Sequence, residues 1–209
     1  MSRLFDERTP KIPERFKSVN PQDLMYFSTE FAIYLERDVL HLNSFKGVAI
    51  LDVGSGTGIL SKILSDRGGV VTAVDQDAEC MHYAVQMNYV DPSRAFSIPG
   101  KELSEELNQS FDFIIMSQAL ITPFSDWDPT LKRISELLKP EGIFYLGYTD
   151  QMYHADKFCS LKPIIEKYFS SCTQTHKPKF YGRNEFGFTC KEPIPSPALL
   201  MDSQRKKQP

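Results

Sequence analysis

Leu24, Phe27, Phe31, Leu35 and Leu42 recur at helical spacing behind Asn20-Pro21-Gln22-Asp23. There Asn suits an N-cap, Pro the first helical position and the acid the first turn. The spacing predicts a helix running to about residue 41. From Val48 the pattern changes to short apolar runs alternating with amphipathic stretches, the signature of β-α-β units on a parallel sheet. Strands are expected over 48–53, 70–75, 94–98, 111–116 and 143–148. Helices are expected over 59–67, where Gly68-Gly69 stops the chain, and over 78–89 and 101–107. Another opens on Asp128-Pro129 as N-cap and first-turn proline, with Leu131, Ile134, Leu137 and Leu138 on one face. Lys139-Pro140-Glu141-Gly142 then turns the chain into the fifth strand. Beyond it the pattern gives a helix over 163–169 and strands near 172–177 and 185–191, with no internal repeat.

Composition narrows the class without changing this outline. A chain of 209 residues with 41% hydrophobic and 24% charged residues suits one soluble domain over 1–209. It divides into an N-terminal arm and helix (1–44, a candidate lid), a core (45–192) and a loose tail (193–209). Residues 1–19, rich in charge and proline, read as an extended arm. The start lacks the apolar core of a signal peptide, and no segment approaches the roughly 20 apolar residues of a membrane span, so a cytoplasmic location is expected. A net charge of -3 argues against broad contact with nucleic acid, which needs a positive face. Cys80, Cys159, Cys172 and Cys190 have no C-x-x-C spacing and read as buried thiols, not metal ligands.

The chemistry gathers at Leu51-Asp52-Val53-Gly54-Ser55-Gly56-Thr57-Gly58, where a strand hands over to a helix. Ligands of open α/β sheets bind at such strand ends. Gly54, Gly56 and Gly58 can adopt positive φ and let a ligand press on the backbone amides at the helix start. The spacing G-x-G-x-G departs from the dinucleotide fingerprint, which wants Gly at the position of Ile59. Asp52 would repel a pyrophosphate but suit a cationic ligand. Asp75, closing the next strand, is placed to accept hydrogen bonds from two ribose hydroxyls.

These residues resemble the class I S-adenosylmethionine-dependent methyltransferases. Residues 51–58 look like that family's first motif, and Val71-Thr72-Ala73-Val74-Asp75 like its second. Phe111-Asp112-Phe113-Ile114-Ile115-Met116-Ser117-Gln118-Ala119-Leu120 is similar to its fourth-strand motif. Residues 128–138 with Lys139-Pro140-Glu141-Gly142 look like the helix and turn before the fifth strand, Glu141 replacing a glycine. The likeness covers roughly 45–190 and is nearest the small-molecule branch that includes the quinone-biosynthesis enzymes.

The resemblance implies an α/β, Rossmann-like methyltransferase fold: a mainly parallel seven-stranded sheet, helices on both faces and an antiparallel strand at the end. It implies S-adenosyl-L-methionine as cofactor and methyl transfer to an acceptor, a small metabolite first and a protein side chain second. Cofactor contacts fall on Asp52, Gly54, Ser55, Gly56, Gly58, Asp75, Gln76 and Ser117. For the adenine, Pro99-Gly100-Lys101 stands where the family often carries an acid, which leaves the backbone there, Lys101 or Glu102.

Among histidines, His41, His82 and His176 read as structural, whereas His154 follows the fifth strand in a loop that should open beside the crevice. His154 and Asp150 are therefore the candidate catalytic residues, with a plain surface histidine as the alternative. Tyr26, Phe27, Phe31 and Tyr34 read as helix packing before an acceptor lid. A non-catalytic cofactor-binding partner subunit and a nucleotide-binding oxidoreductase are the rival functions, the latter disfavoured by Ile59 and Asp52.

Overall fold

The computed structural model describes residues 10–103, 107, 110–117, 126–149, 161–180 and 183–194. Seven strands form one sheet: β1 (Ala49–Val53), β2 (Val70–Val74), β3 (Ala95–Phe96), β4 (Phe111–Ser117), β5 (Leu138–Thr149), β6 (Phe169–Phe180) and β7 (Arg183–Pro193). Their order is β3-β2-β1-β4-β5-β7-β6, as expected for the mainly parallel, Rossmann-like sheet. The first five pair in parallel, and β7 runs antiparallel to both β5 and β6. The antiparallel strand is thus the last of the described strands but not at the edge of the sheet, a place taken by β6.

The central strands are apolar at nearly every position because both of their faces are covered. Side chains alternate between two cores with the strand period of two. Ile50, Phe113, Ile115 and Tyr145 face helices α1 (Pro21–Tyr34) and α2 (Ile59–Asp66) through Phe31, Ile63 and Leu64. Leu51, Ile114, Met116 and Phe144 face helices α4 (Trp127–Leu137) and α5 (Leu161–Ile165) through Leu131, Ile134 and Ile165. Helix α3 (Ala78–Gln86) joins a smaller cluster of Ala73, Met81, Ala84 and Val90. Because β1 lies between β2 and β4, consecutive connections leave it in opposite directions, and a crevice opens at its carboxyl end.

Several boundaries differ from the pattern. Asn20 caps α1 as expected, its side chain accepting from the Gln22 amide at 3.0 Å. The helix then widens into a π turn over Leu35–Val39, a backbone variation that side-chain spacing does not register. Helix α4 begins at Trp127, which packs into the core, so Asp128 sits in the first turn and not at the cap. Its carboxylate instead accepts from Lys167 Nζ at 2.9 Å. Strand β5 already starts at Leu138, paired with Phe111, and a register shift between Phe111 and Phe113 absorbs the proline-glycine turn. Helix α5 is shorter than predicted, since Phe169 enters β6. Of the predicted helix over 101–107, the described residues show a 3-10 turn at Gly100–Glu102, helical backbone at Leu103 and an i,i+4 bond from Leu107 N to Leu103 O at 3.1 Å. The N-terminal arm is not simply extended, because Glu14–Phe16 forms a 3-10 turn. No helix among the described residues is long and apolar enough to cross a membrane.

Gly58, the N-cap of α2, has φ 78°, and a Cβ there would lie 2.8 Å from Ala84 Cβ and 3.1 Å from Val90 Cγ2. Gly47 shares the positive φ, at 77°, but a Cβ there would meet nothing within 4 Å. Gly58→Ala should therefore cost about 2–4 kcal/mol, combining left-handed strain with overpacking. Gly47→Ala should cost only the strain, about 1–2 kcal/mol. Urea unfolding of both variants checks this, and equal losses would remove the packing contribution at Gly58.

Candidate functional site

The loop from β1 to α2 turns through Gly54, Gly56 and Gly58 at φ of 74°, 57° and 78°. Its first amides reach across to the neighbouring strand: Gly54 N and Ser55 N donate to Val74 O at 2.7 and 3.0 Å. Gly56 N donates to Asp75 Oδ2 at 2.9 Å, and Asp77 N donates to Asp75 Oδ1 at 2.9 Å. Asp75 is 4% exposed, so its carboxylate acts as a buried clamp between the glycine loop and the end of β2.

Asp52 is 2% exposed near the carboxyl end of β1. Ser61 Oγ donates to Asp52 Oδ2 at 2.6 Å from the inner face of α2. Burial pushes the Asp52 carboxyl up to about 6; the Ser61 hydrogen bond opposes this, and the nearby charge of Asp75 reinforces it. A cavity of about 180 Å³ opens over these groups, bordered by Phe16, Phe31, Asp52, Gly54, Gly56 and Ser117.

The structure therefore brings Asp52, Gly54, Ser55, Gly56 and Ser117 to one cavity, with Asp75 joined to it through the Gly56 amide. Gly58 packs against α3 and does not border the cavity. Gln76 is exposed beside Asp75. Lys101 and Glu102 are exposed as well, and Lys101 Nζ lies 3.2 Å from Asp126 Oδ2. Of the aromatic set, Phe31 packs on Tyr145 with ring centroids 5.6 Å apart and also borders the cavity. Tyr26 is exposed. His154, Asp150 and Gln118 lie outside the described residues.

Two cavity neighbours went unread in the sequence. Arg15 donates from its guanidinium to Asp75 Oδ2 at 2.9 Å, lies 3.3 Å from Asp77 Oδ2 and donates to Cys80 Sγ at 3.1 Å. Burial lowers the Arg15 pKa, but the Asp75 carboxylate outweighs it and holds the value above the ordinary one. Burial pushes the Cys80 thiol up to about 12 despite Arg15. Phe16 sits over the loop, and a Cβ on Gly56 would be 2.9 Å from its ring. Neither residue has a periodic or motif signal. Ser61 was also missed, although a small polar residue on the apolar side of α2 is a readable sign.

Residues 51–146 match the methyltransferase domain family. A ubiquinone biosynthesis O-methyltransferase of Paramagnetospirillum magneticum is 31% identical over 130 residues, covering 60% of this chain and 50% of the relative. A malonyl-[acyl-carrier protein] O-methyltransferase of Acetivibrio thermocellus is 35% identical over 108 residues, covering 51% of this chain and 37% of the relative. The chain thus spans about half or less of the length of these relatives. Among solved structures, the N-methyltransferase NodS of Bradyrhizobium japonicum superposes with a TM-score of 0.61 at 14% identity, covering 81% of this chain and 98% of that one. A magnesium protoporphyrin IX methyltransferase of Synechocystis, solved with bound SAM, gives 0.59 at 16% identity over 81% of this chain and 83% of that one.

The buried carboxyl of Asp52 makes a pH-dependent stability expected. Its folded value, about 6 against an ordinary 3.8, means the folded state holds the proton more tightly than the unfolded chain. The stability so contributed is fully present below about pH 4 and is lost as pH rises through about 6, a difference of about 3 kcal/mol. Asp52→Asn should thus stabilise the protein progressively from pH 4 to 6 and by a constant amount above. Urea midpoints at pH 4, 6 and 8 test this; a gain independent of pH would mean the carboxyl is not held neutral by burial.

Proposed function

We propose that this chain, whose residues 51–146 match the methyltransferase domain family, transfers a methyl group from S-adenosylmethionine to a small metabolite. The observation that carries this reading is the pair of buried acids, Asp52 and Asp75, on either side of a loop whose glycines all take positive φ. The donor set fits the cofactor's chemistry. Asp75 suits a ribose diol, the Gly56 region offers backbone to a closely approaching ligand, and Asp52 becomes an anion readily once a cationic group arrives. A dinucleotide fits less well, because Asp52 opposes a pyrophosphate and buried Ile59 stands where that fingerprint needs glycine.

When bound, the cofactor supplies an activated methyl: the acceptor's lone pair forms the new bond to carbon, the C–S electron pair stays on sulfur, and the acceptor's proton departs. The protein's contribution is alignment and exclusion of water. Ser117, at the carboxyl end of β4, borders the cavity where the acceptor would meet the methyl. We assign Gln76 to the ribose side, and Lys101 and Glu102 to the adenine end. His154 and Asp150 are our candidates for proton removal or acceptor orientation. We assign the chain to a cytoplasmic setting.

Titration calorimetry should detect S-adenosylmethionine and S-adenosylhomocysteine but not NAD. Asp75→Ala should weaken both adenosyl ligands alike by about 1–3 kcal/mol, the range for a hydrogen bond to a charged group. Because a ligand ammonium favours the ionised Asp52, affinity should fall as pH drops through about 6 and binding near that pH should release protons. Binding of NAD in preference to either adenosyl ligand would overturn this reading.

A further inference from the structure

The cavity over the glycine loop is partly filled by the chain's own N-terminal arm. At about 180 Å³ it is smaller than the roughly 300 Å³ at which small-molecule pockets begin. Phe16 borders it and lies against Gly56, where a ligand resting on the loop backbone would have to pass. Beside it, the Arg15 guanidinium occupies Asp75 Oδ2, an oxygen that also accepts the Gly56 amide. Asp75 Oδ1 already accepts from Asp77 N. A vicinal diol needs the outward lone pairs of both oxygens, and the guanidinium stands on one of them.

We propose that residues 13–17 are an internal competitor for the nucleoside end of the cofactor site, docked through Arg15 on Asp75 and Phe16 on Gly56, and displaced when an adenosyl ligand enters. This rests on the methyltransferase reading above.

The arm is built to detach as a unit. Its 3-10 turn is closed by local bonds, Phe16 N to Pro13 O at 2.9 Å and Val19 N to Phe16 O at 3.0 Å. Helix α1 keeps its own cap at Asn20, whose backbone is extended, so the arm can swing about residues 19–20 without unwinding the helix. On its outer side the arm spans a groove of about 600 Å³ against α3, bordered by Lys11, Pro13, Glu14, Glu79 and Tyr83. The grip falls on the Arg15 ion pairs, the Phe16 contact and the burial of Pro13. Arg15 is 43% exposed, so water screens its pairs and the barrier to release stays modest.

Limited trypsin digestion, following cleavage after Lys17, separates a competitor from a lid. Saturating S-adenosylhomocysteine should accelerate that cleavage, because the ligand frees the arm; protection by the ligand would show a lid and overturn the proposal. Without ligand, Asp75→Asn should hasten the same cleavage, and an unchanged rate would overturn the docking itself. In titration calorimetry Arg15→Ala should bind S-adenosylhomocysteine about fivefold more tightly, as expected for loss of a half-exposed ion pair that competes with it. Phe16→Ala should act in the same direction. Weaker binding by Arg15→Ala would place Arg15 in the bound site and overturn the proposal. Equal binding by wild type and Arg15→Ala overturns the arm's role alone. Absence of binding by both overturns the methyltransferase reading and the competition with it.

Discussion

The hydrogen bond from the Gly56 amide to Asp75 ties together everything that matters at the crevice. It fixes the loop after β1 to the end of β2, two segments 19 residues apart in sequence, and it does so with a carboxylate that is almost wholly buried. The bonds from Gly54 and Ser55 to Val74 extend the same seam. Because the loop is held by its neighbour strand, the start of α2 and Ser61 are held too, and through Ser61 the carboxyl of Asp52. One seam between two parallel strands thereby sets the positions of both acids.

That placement has a cost that the rest of the fold carries. A carboxyl shifted by burial to about 6 is an unfavourable charge at neutral pH, yet it is retained at the centre of the sheet. The apolar cores on both faces, with Ile50, Leu51, Phe113 and Ile114 completely buried, supply the stability that tolerates it.

Much of this was legible in the sequence because it is written locally. Strands β1, β2 and β4 are covered on both faces and so read as nearly continuous apolar runs, and the glycine loop with its two acids sits where such runs end. Asp52, Gly54, Ser55, Gly56 and Ser117 accordingly converge on one cavity. What could not be read depends on distant contacts or backbone detail. Arg15 meets Asp75 across 60 positions, and nothing in a proline-flanked, charged segment signals such a partner. The π turn after α1 leaves the apolar spacing intact, and the start of α4 is decided by the packing of Trp127 more than by Asp128-Pro129. At Gly58 the sequence could not show the closeness of α2 to Ala84 and Val90, which leaves no room for a Cβ.

The insertion of β7 between β5 and β6 bears on how the chain reaches this state during synthesis. Both of the strands it joins leave the ribosome before it does, and neither pairs with the other in the finished sheet. Until the segment from residue 183 onward emerges, β5 has an unpaired edge along residues 143–149, the stretch it later shares with β7. Open edges of this kind recruit other chains. A nascent chain stalled or cut before residue 183 would therefore be the species most prone to self-association, a hazard that ends when the last strand slots into place.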